Sequence, residues 1–199
     1  MKNFPKAVSV AEKPSREEAL AAVQTLIAYI GDDPQREGLL ETPDRVLRAY
    51  EELYAGYEAN PAELLEKTFE DVEGYNELVL VRDIEVLSHC EHHMLPIRGV
   101  AHVAYLPRDR VVGLSKLARL VEAYARRLQT QERLTEQVTR TLQDVLAPRG
   151  VAVLVEAEHD CMSLRGVRSR GSKTITQRFS GELQSNPAIR AQFQELLRR

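Results

Sequence analysis

The sequence predicts an α+β fold: an antiparallel sheet with helices on one face, preceded by an N-terminal helical extension. Three observations carry this expectation. From residue 75 the apolar patterning runs strand, strand, helix, helix, strand, strand, and segregated elements of that kind favour α+β over an alternating parallel sheet. The first third reads as helix throughout and precedes any strand. No self-similarity recurs at the spacings of repeat proteins. The expected organisation is a helical extension over residues 1–74 and a sheet-bearing domain with a C-terminal helix over residues 75–199.

Each element has a local cause. Ser15-Arg16-Glu17-Glu18 is a capping box. It opens a helix whose apolar positions are Leu20, Val23, Ile27 and Ile30, and Gly31 closes it. A second helix begins at Thr42-Pro43 and ends near Gly56, and a short third one follows Asn60-Pro61. Residues 78–86 and 101–106 read as strands. Pro107-Arg108-Asp109 supplies a turn before Val111-Val112. Ser115 is expected to cap a helix to about residue 128, with Leu117, Leu120, Val121 and Tyr124 on one face. Thr130 starts another through Leu134, Val138, Leu142 and Val145, ended by Pro148-Arg149-Gly150. Residues 151–156 and 174–179 form a strand pair, and Asn186-Pro187 opens the last helix.

The 199 residues are 43% hydrophobic and 29% charged, which excludes collagen, low-complexity disorder and a coiled-coil rod. No apolar run exceeds five residues, so no membrane span is expected. Residues 1–15 hold two prolines and four charges and lack a signal-peptide core, so the expected location is cytoplasmic. Two cysteines, Cys90 and Cys161, exclude a disulfide scaffold. The net charge of −3 hides an asymmetry: residues 161–199 carry eight Lys and Arg against two Asp and Glu. Such a segment can meet phosphate or an acidic partner, or form solvated surface.

The densest cluster of ligand types is Cys90-Glu91-His92-His93, just after a strand, and His159-Asp160-Cys161 follows another. Cys-x-x-His sets Cys90 and His93 on one side of a tight turn. Cys161 would complete a Cys2His set that zinc accepts with its fourth position open. His92 or His159 could equally close the site as a fourth ligand. If they do not, two imidazoles remain near the metal as an acid/base pair matched to neutral pH. His102, inside an apolar strand, reads as a core or edge residue. Lys116 and Arg119 lie near a helix N-terminus that itself favours anions. Arg165 follows Cys161 by four residues, and Arg45 lies in the first turn of its helix. Gln131-Glu132 stands at another helix start, where a carboxylate beside an amide can read a guanine edge. The run from Gly166 to Thr174 imitates a phosphate-binding P-loop, but its Lys comes one place late and strand, not helix, follows. The zinc deaminase signature is absent.

Four motifs in order carry a resemblance: Ser88-His89-Cys90-Glu91-His92-His93-Met94-Leu95-Pro96, Gly113-Leu114-Ser115-Lys116-Leu117-Ala118-Arg119, Gln129-Thr130-Gln131-Glu132-Arg133-Leu134-Thr135, and His159-Asp160-Cys161-Met162-Ser163-Leu164-Arg165-Gly166-Val167. Together with Glu41-Thr42-Pro43-Asp44-Arg45 they resemble GTP cyclohydrolase I, from about residue 27 to the C-terminus. The resemblance implies the tunnelling fold, a ββααββ unit whose sheets join between subunits, and a homodecamer of two pentamers with active sites at subunit interfaces. It implies zinc on Cys90, His93 and Cys161, and proton transfer by His92 and His159. Glu132 with Gln131 corresponds to the guanine anchor; Lys116, Arg119, Arg165 and Arg45, assisted by Ser115, correspond to the triphosphate grip. The implied reaction converts GTP and water to 7,8-dihydroneopterin triphosphate and formate, the first step toward tetrahydrofolate and pterins. Neither nucleic acid nor membrane is an expected partner. Two rival readings are a nucleotide-binding protein with a closed structural zinc, and a tunnelling-fold deazaguanine reductase, which needs a Cys-Asp pair and a nicotinamide site.

Overall fold

A computed structural model describes residues 13–69 and 74–198. Most of the N-terminal stretch without motifs lies outside the described residues. The chain divides into two compact units, Met1–Glu52 and Leu53–Arg199.

The first unit holds α1 (Arg16–Tyr29) and most of α2 (Thr42–Leu53). The expected capping box is present: Ser15 Oγ accepts from the Glu18 amide at 3.2 Å, and the Glu18 carboxylate accepts from the Ser15 amide at 2.8 Å. Helix α1 ends at Tyr29, and Gly31 takes the left-handed conformation, φ +96°, that a side chain would oppose. Ile27 and Pro43 are the residues these two helices bury. Arg16 ties the helices by ion pairs to Asp44 at 2.7 Å and Glu51 at 2.9 Å. All of these groups are exposed, so each pair stabilises little.

The second unit is built on a five-stranded sheet in the order β5-β2-β3-β6-β7, in which β5 is the two-residue strand Leu128–Gln129. Its main strands are β2 (Val79–Cys90), β3 (Pro96–Leu106), β6 (Gly150–His159) and β7 (Thr174–Ser180), and these four pair antiparallel with one another. A separate ribbon pairs β1 (Thr68–Phe69) with β4 (Val111–Val112). Strands β2 and β3 run farther toward their shared hairpin than the apolar pattern indicates. The ladder continues through polar residues as far as the pair His89–Pro96, and backbone pairing does not need apolar side chains. A bulge between Val81 and Ile84 shifts the register, with Asp83 at φ +57°.

Helices α3 (Leu114–Ala125) and α4 (Gln131–Leu146) cover one sheet face. Leu117, Leu120 and Val121 of α3 and Leu134, Val138 and Leu142 of α4 pack with Val103, Tyr105, Val153 and Val155 into the main core. The 3.6-residue spacing of the helical set and the two-residue spacing of the strand set are those read in the sequence. The other face is covered at one end, where Ala104 and Ala152 meet Leu183 of α6 (Gly181–Ser185) and Phe193 of α7 (Pro187–Arg198). The ββααββ order is therefore present, and α6 is a short helix that the sequence did not announce.

Two local expectations need correction. Ser115 does not cap α3: Gly113 is the N-cap, no side chain bonds there, and Ser115 lies inside the first turn. The helix also stops at Ala125 and not near residue 128. Residues Leu128–Gln129 form β5 instead, parallel to the end of β2, opposite His89 and Cys90. Arg127 explains the stop. Its half-buried guanidinium donates to the carbonyls of Gly56 at 2.8 Å and Ala123 at 3.0 Å, and stacks 5.0 Å from the Tyr124 ring. Anchoring the side chain there turns the backbone out of the helix. Among the described residues, β7 and most of β2 present edges with no neighbouring strand within the chain.

Candidate active site

The site gathers where three chain segments end side by side. Strand β2 stops at Cys90, β6 stops at His159, and β5 hands the chain to the N-terminus of α4. The β2–β3 hairpin turns tightly: the Cys90 amide donates to Leu95 O at 2.9 Å and the Met94 amide to Cys90 O at 2.8 Å. Met94 takes φ +55° to close it, a conformation costing a non-glycine residue about 1 kcal/mol. The Glu91 amide donates to Gln129 O at 3.0 Å, which fixes the hairpin to β5.

That turn brings Cys90 and His93 together, and the short helix α5 (Asp160–Ser163) adds Cys161. The three ligand atoms lie within 4.8 Å of one another. Cys90 Sγ is 3.9 Å from His93 Nδ1; tetrahedral zinc, with bonds of about 2.3 Å to sulfur and about 2.0–2.1 Å to nitrogen, would space such a pair by about 3.6 Å. Two thiols and an imidazole are a donor set suited to zinc. Burial, then the neighbouring Cys90, pushes the Cys161 thiol above its usual range. A cation would reverse that by favouring the thiolates. His93 Nε2 faces Arg165 Nη1 at 3.2 Å.

His92 is exposed beside this group, its ring 6.4 Å from that of His93 in an edge-on arrangement. His159 is half-buried, and its Nε2 lies 2.8 Å from Gln131 Oε1. Burial holds the His159 ring below its usual pKa, with Glu132 pulling weakly the other way. Glu132 lines a shallow groove with Thr135, Glu136, Thr176, Gln177 and Arg178. On α3, Ser115 and Arg119 are exposed and Lys116 is half-buried. Lys116 and Arg119 form no ion pair among the described residues. Arg45 belongs to the first unit, where it pairs with Glu41.

A model of the GTP cyclohydrolase I family matches residues 19–198. The chain belongs to the GTP cyclohydrolase I family. It is 59% identical over 187 residues to GTP cyclohydrolase 1 of Brucella anthropi, covering 94% of this chain and 88% of that relative. It is 56% identical over 187 residues to GTP cyclohydrolase 1 of Brucella canis, with the same coverage. Among solved structures, the archaeosine synthase QueF-Like in the apo form aligns over 53% of this chain and 94% of its own, at 20% identity and a TM-score of 0.44.

Within this family member, Gln131, the residue the resemblance sets beside Glu132 as part of the guanine anchor, turns its side chain inward. The residue is 1% exposed, and its amide bonds Val155 O, Thr174 O and His159. No donor of that amide is left for a ligand. Sequence reasoning also missed a contact that secures the site. Arg98 Nη2 on β3 donates to both carboxylate oxygens of buried Asp160, at 2.8 and 2.9 Å, and Ser163 Oγ adds a third bond at 3.3 Å. Asp160 lies between His159 and Cys161, so this cluster pins both neighbours to β3. The only signal in the sequence was an acid among ligand residues.

Proposed function

We propose that this chain is a zinc-dependent GTP cyclohydrolase I, converting GTP and water to 7,8-dihydroneopterin triphosphate and formate in the cytoplasm. The observation that carries the reading is the Cys90–His93–Cys161 group beside His92 and His159, in a member of the GTP cyclohydrolase I family. Cys90, His93 and Cys161 would hold the ion. When bound there, zinc supplies Lewis acidity and brings the pKa of a water to about 7.

The chain's own residues do the rest. The Glu132 carboxylate accepts from the guanine ring N–H and exocyclic amine. Lys116, Arg119 and Arg165, with Arg45 and Ser115, bind the triphosphate, aided by the N-terminus of α3, which no side chain caps. His92 and His159 move protons: one protonates a purine nitrogen as the imidazole ring opens and formate leaves. The later ribose opening, Amadori-type rearrangement and closure of the pteridine ring each need proton transfer in a site closed to bulk water. A homodecamer of two pentamers would bring neighbouring copies to each site, and the open edges of β2 and β7 support joining of sheets between subunits.

GTP turnover followed at the pterin absorbance, with and without a chelator, tests the reading. About one zinc per chain is expected, and Cys161→Ala should abolish both metal and formate release. Glu132→Ala should lose discrimination against ATP while keeping zinc. Full activity in metal-free protein would refute the mechanism.

A further inference from the structure

The hydrogen bonds around Gln131 fix which atoms donate and which accept in its cluster. The Gln131 amide nitrogen donates to the carbonyls of Val155 at 3.0 Å and Thr174 at 2.9 Å. Carbonyl oxygens only accept, so the amide cannot be reversed: its oxygen would then face two carbonyls in a site closed to water. The hydroxyls agree with this orientation. Thr135 Oγ1 donates to Gln131 O at 2.8 Å, so across the 2.6 Å contact Thr176 Oγ1 must be the donor to Thr135. With its own proton given to Thr135, Thr176 Oγ1 can only accept across its 3.2 Å contact with the Gln131 amide nitrogen, sharing an N–H with one of the two carbonyls. With the amide so fixed, Gln131 Oε1 is the atom 2.8 Å from His159 Nε2. An amide oxygen only accepts, so the proton between them belongs to Nε2.

We propose that Gln131 is a positioning residue: it holds neutral His159 as the Nε2–H tautomer and leaves Nδ1 as the nitrogen that exchanges a proton with the substrate. The proposal rests on the reading of His159 as a proton-transfer group. It gives Gln131 a role in proton transfer in place of guanine recognition. It also divides the two helical neighbours: Gln131 faces the histidine from inside the fold, and Glu132 faces the groove.

The test uses the full-length, zinc-loaded protein labelled with 15N-histidine. The chain has five histidines, and His159→Ala identifies the His159 ring resonances by difference. Above the ring's titration, Nε2 should resonate as a protonated nitrogen and Nδ1 as an unprotonated one. Gln131→Met, similar in volume but without an acceptor, should keep its zinc and show mixed tautomers at His159. Its kcat should fall by about tenfold or more, with KM for GTP within about threefold of wild type. An Nδ1–H signature in the wild-type protein overturns the proposal, and that result does not depend on any variant folding. Wild-type kcat in Gln131→Met overturns it as well. Full turnover by His159→Ala would instead place the fault in the proton-transfer reading, and the wild-type spectrum would still decide Gln131's hold on the ring.

Discussion

His102 is a half-buried imidazole that secures an irregularity in the sheet. Its Nδ1 accepts the amide of Asp83, the left-handed residue of the β2 bulge, at 3.3 Å. Burial holds its pKa below the usual value. Asp83 and Glu156 oppose that shift and Arg82 adds to it. Asp83 itself is 68% exposed, so solvent screens its pull and burial prevails. The unfolded chain therefore takes up this proton at a higher pH than the folded one. The stability linked to His102 is complete above the unfolded pKa of about 6.5 and is lost as pH falls through the lower folded value. Urea unfolding at pH 7.5 and at pH 5.5 should show weaker stability at the lower pH, and His102→Gln should reduce that difference. An unchanged difference in the variant would assign the effect to other groups. In the sequence, His102 was legible as a core or edge histidine because it interrupts an apolar strand. Its bond to the bulge was not, because nothing in the local pattern marks where a register shifts.

Elements meet at this site through contacts of very different sequence range, and that range decides what could be read. Cys90 and His93 are three residues apart, and Cys161 follows a strand; both arrangements are local and both were legible. The Arg98–Asp160 contact joins positions 62 apart, and no periodicity connects them. Asp160→Asn should keep the fold and lower zinc affinity on the order of tenfold by loosening the anchor behind Cys161. Competition with a chromogenic chelator measures this, and equal affinity would remove the anchoring role. The β3–β6 ladder supplies a second case. A Cβ on Gly99 would collide with Glu156 O and would stand 2.6 Å from Ala157 Cα. Both atoms belong to the strand that leads to His159, and backbone cannot swing aside as a flexible side chain can. Gly99→Ala should lower the melting temperature by several degrees and disturb the site at the same time. A variant with unaltered melting and turnover would contradict the close approach. Read as sequence, this glycine was an unmarked position in a strand. Likewise β5 was hidden inside the expected tail of a helix, because Arg127 ends that helix by a contact with Gly56, 71 residues away.

At the scale of the molecule, the two units differ in how they hold together. Among the described residues, the first carries exposed ion pairs and buries few apolar side chains; the second carries the sheet and its core. No helix among the described residues is long and apolar enough to cross a membrane. Sedimentation should find a decamer, and a monomer active toward GTP would refute the proposed assembly. The open edges of β2 and β7 carry one more consequence. In the proposed assembly, amides and carbonyls that pair only across a subunit boundary would gain their partners by mass action, so each chain's folded state would be stabilised by the supply of other chains. The melting midpoint should rise with protein concentration, and a midpoint constant over a hundredfold dilution would show that each chain is self-sufficient. Abundance then becomes a stability variable: a cell making too little of this protein would lose more of it than the shortfall in synthesis alone accounts for.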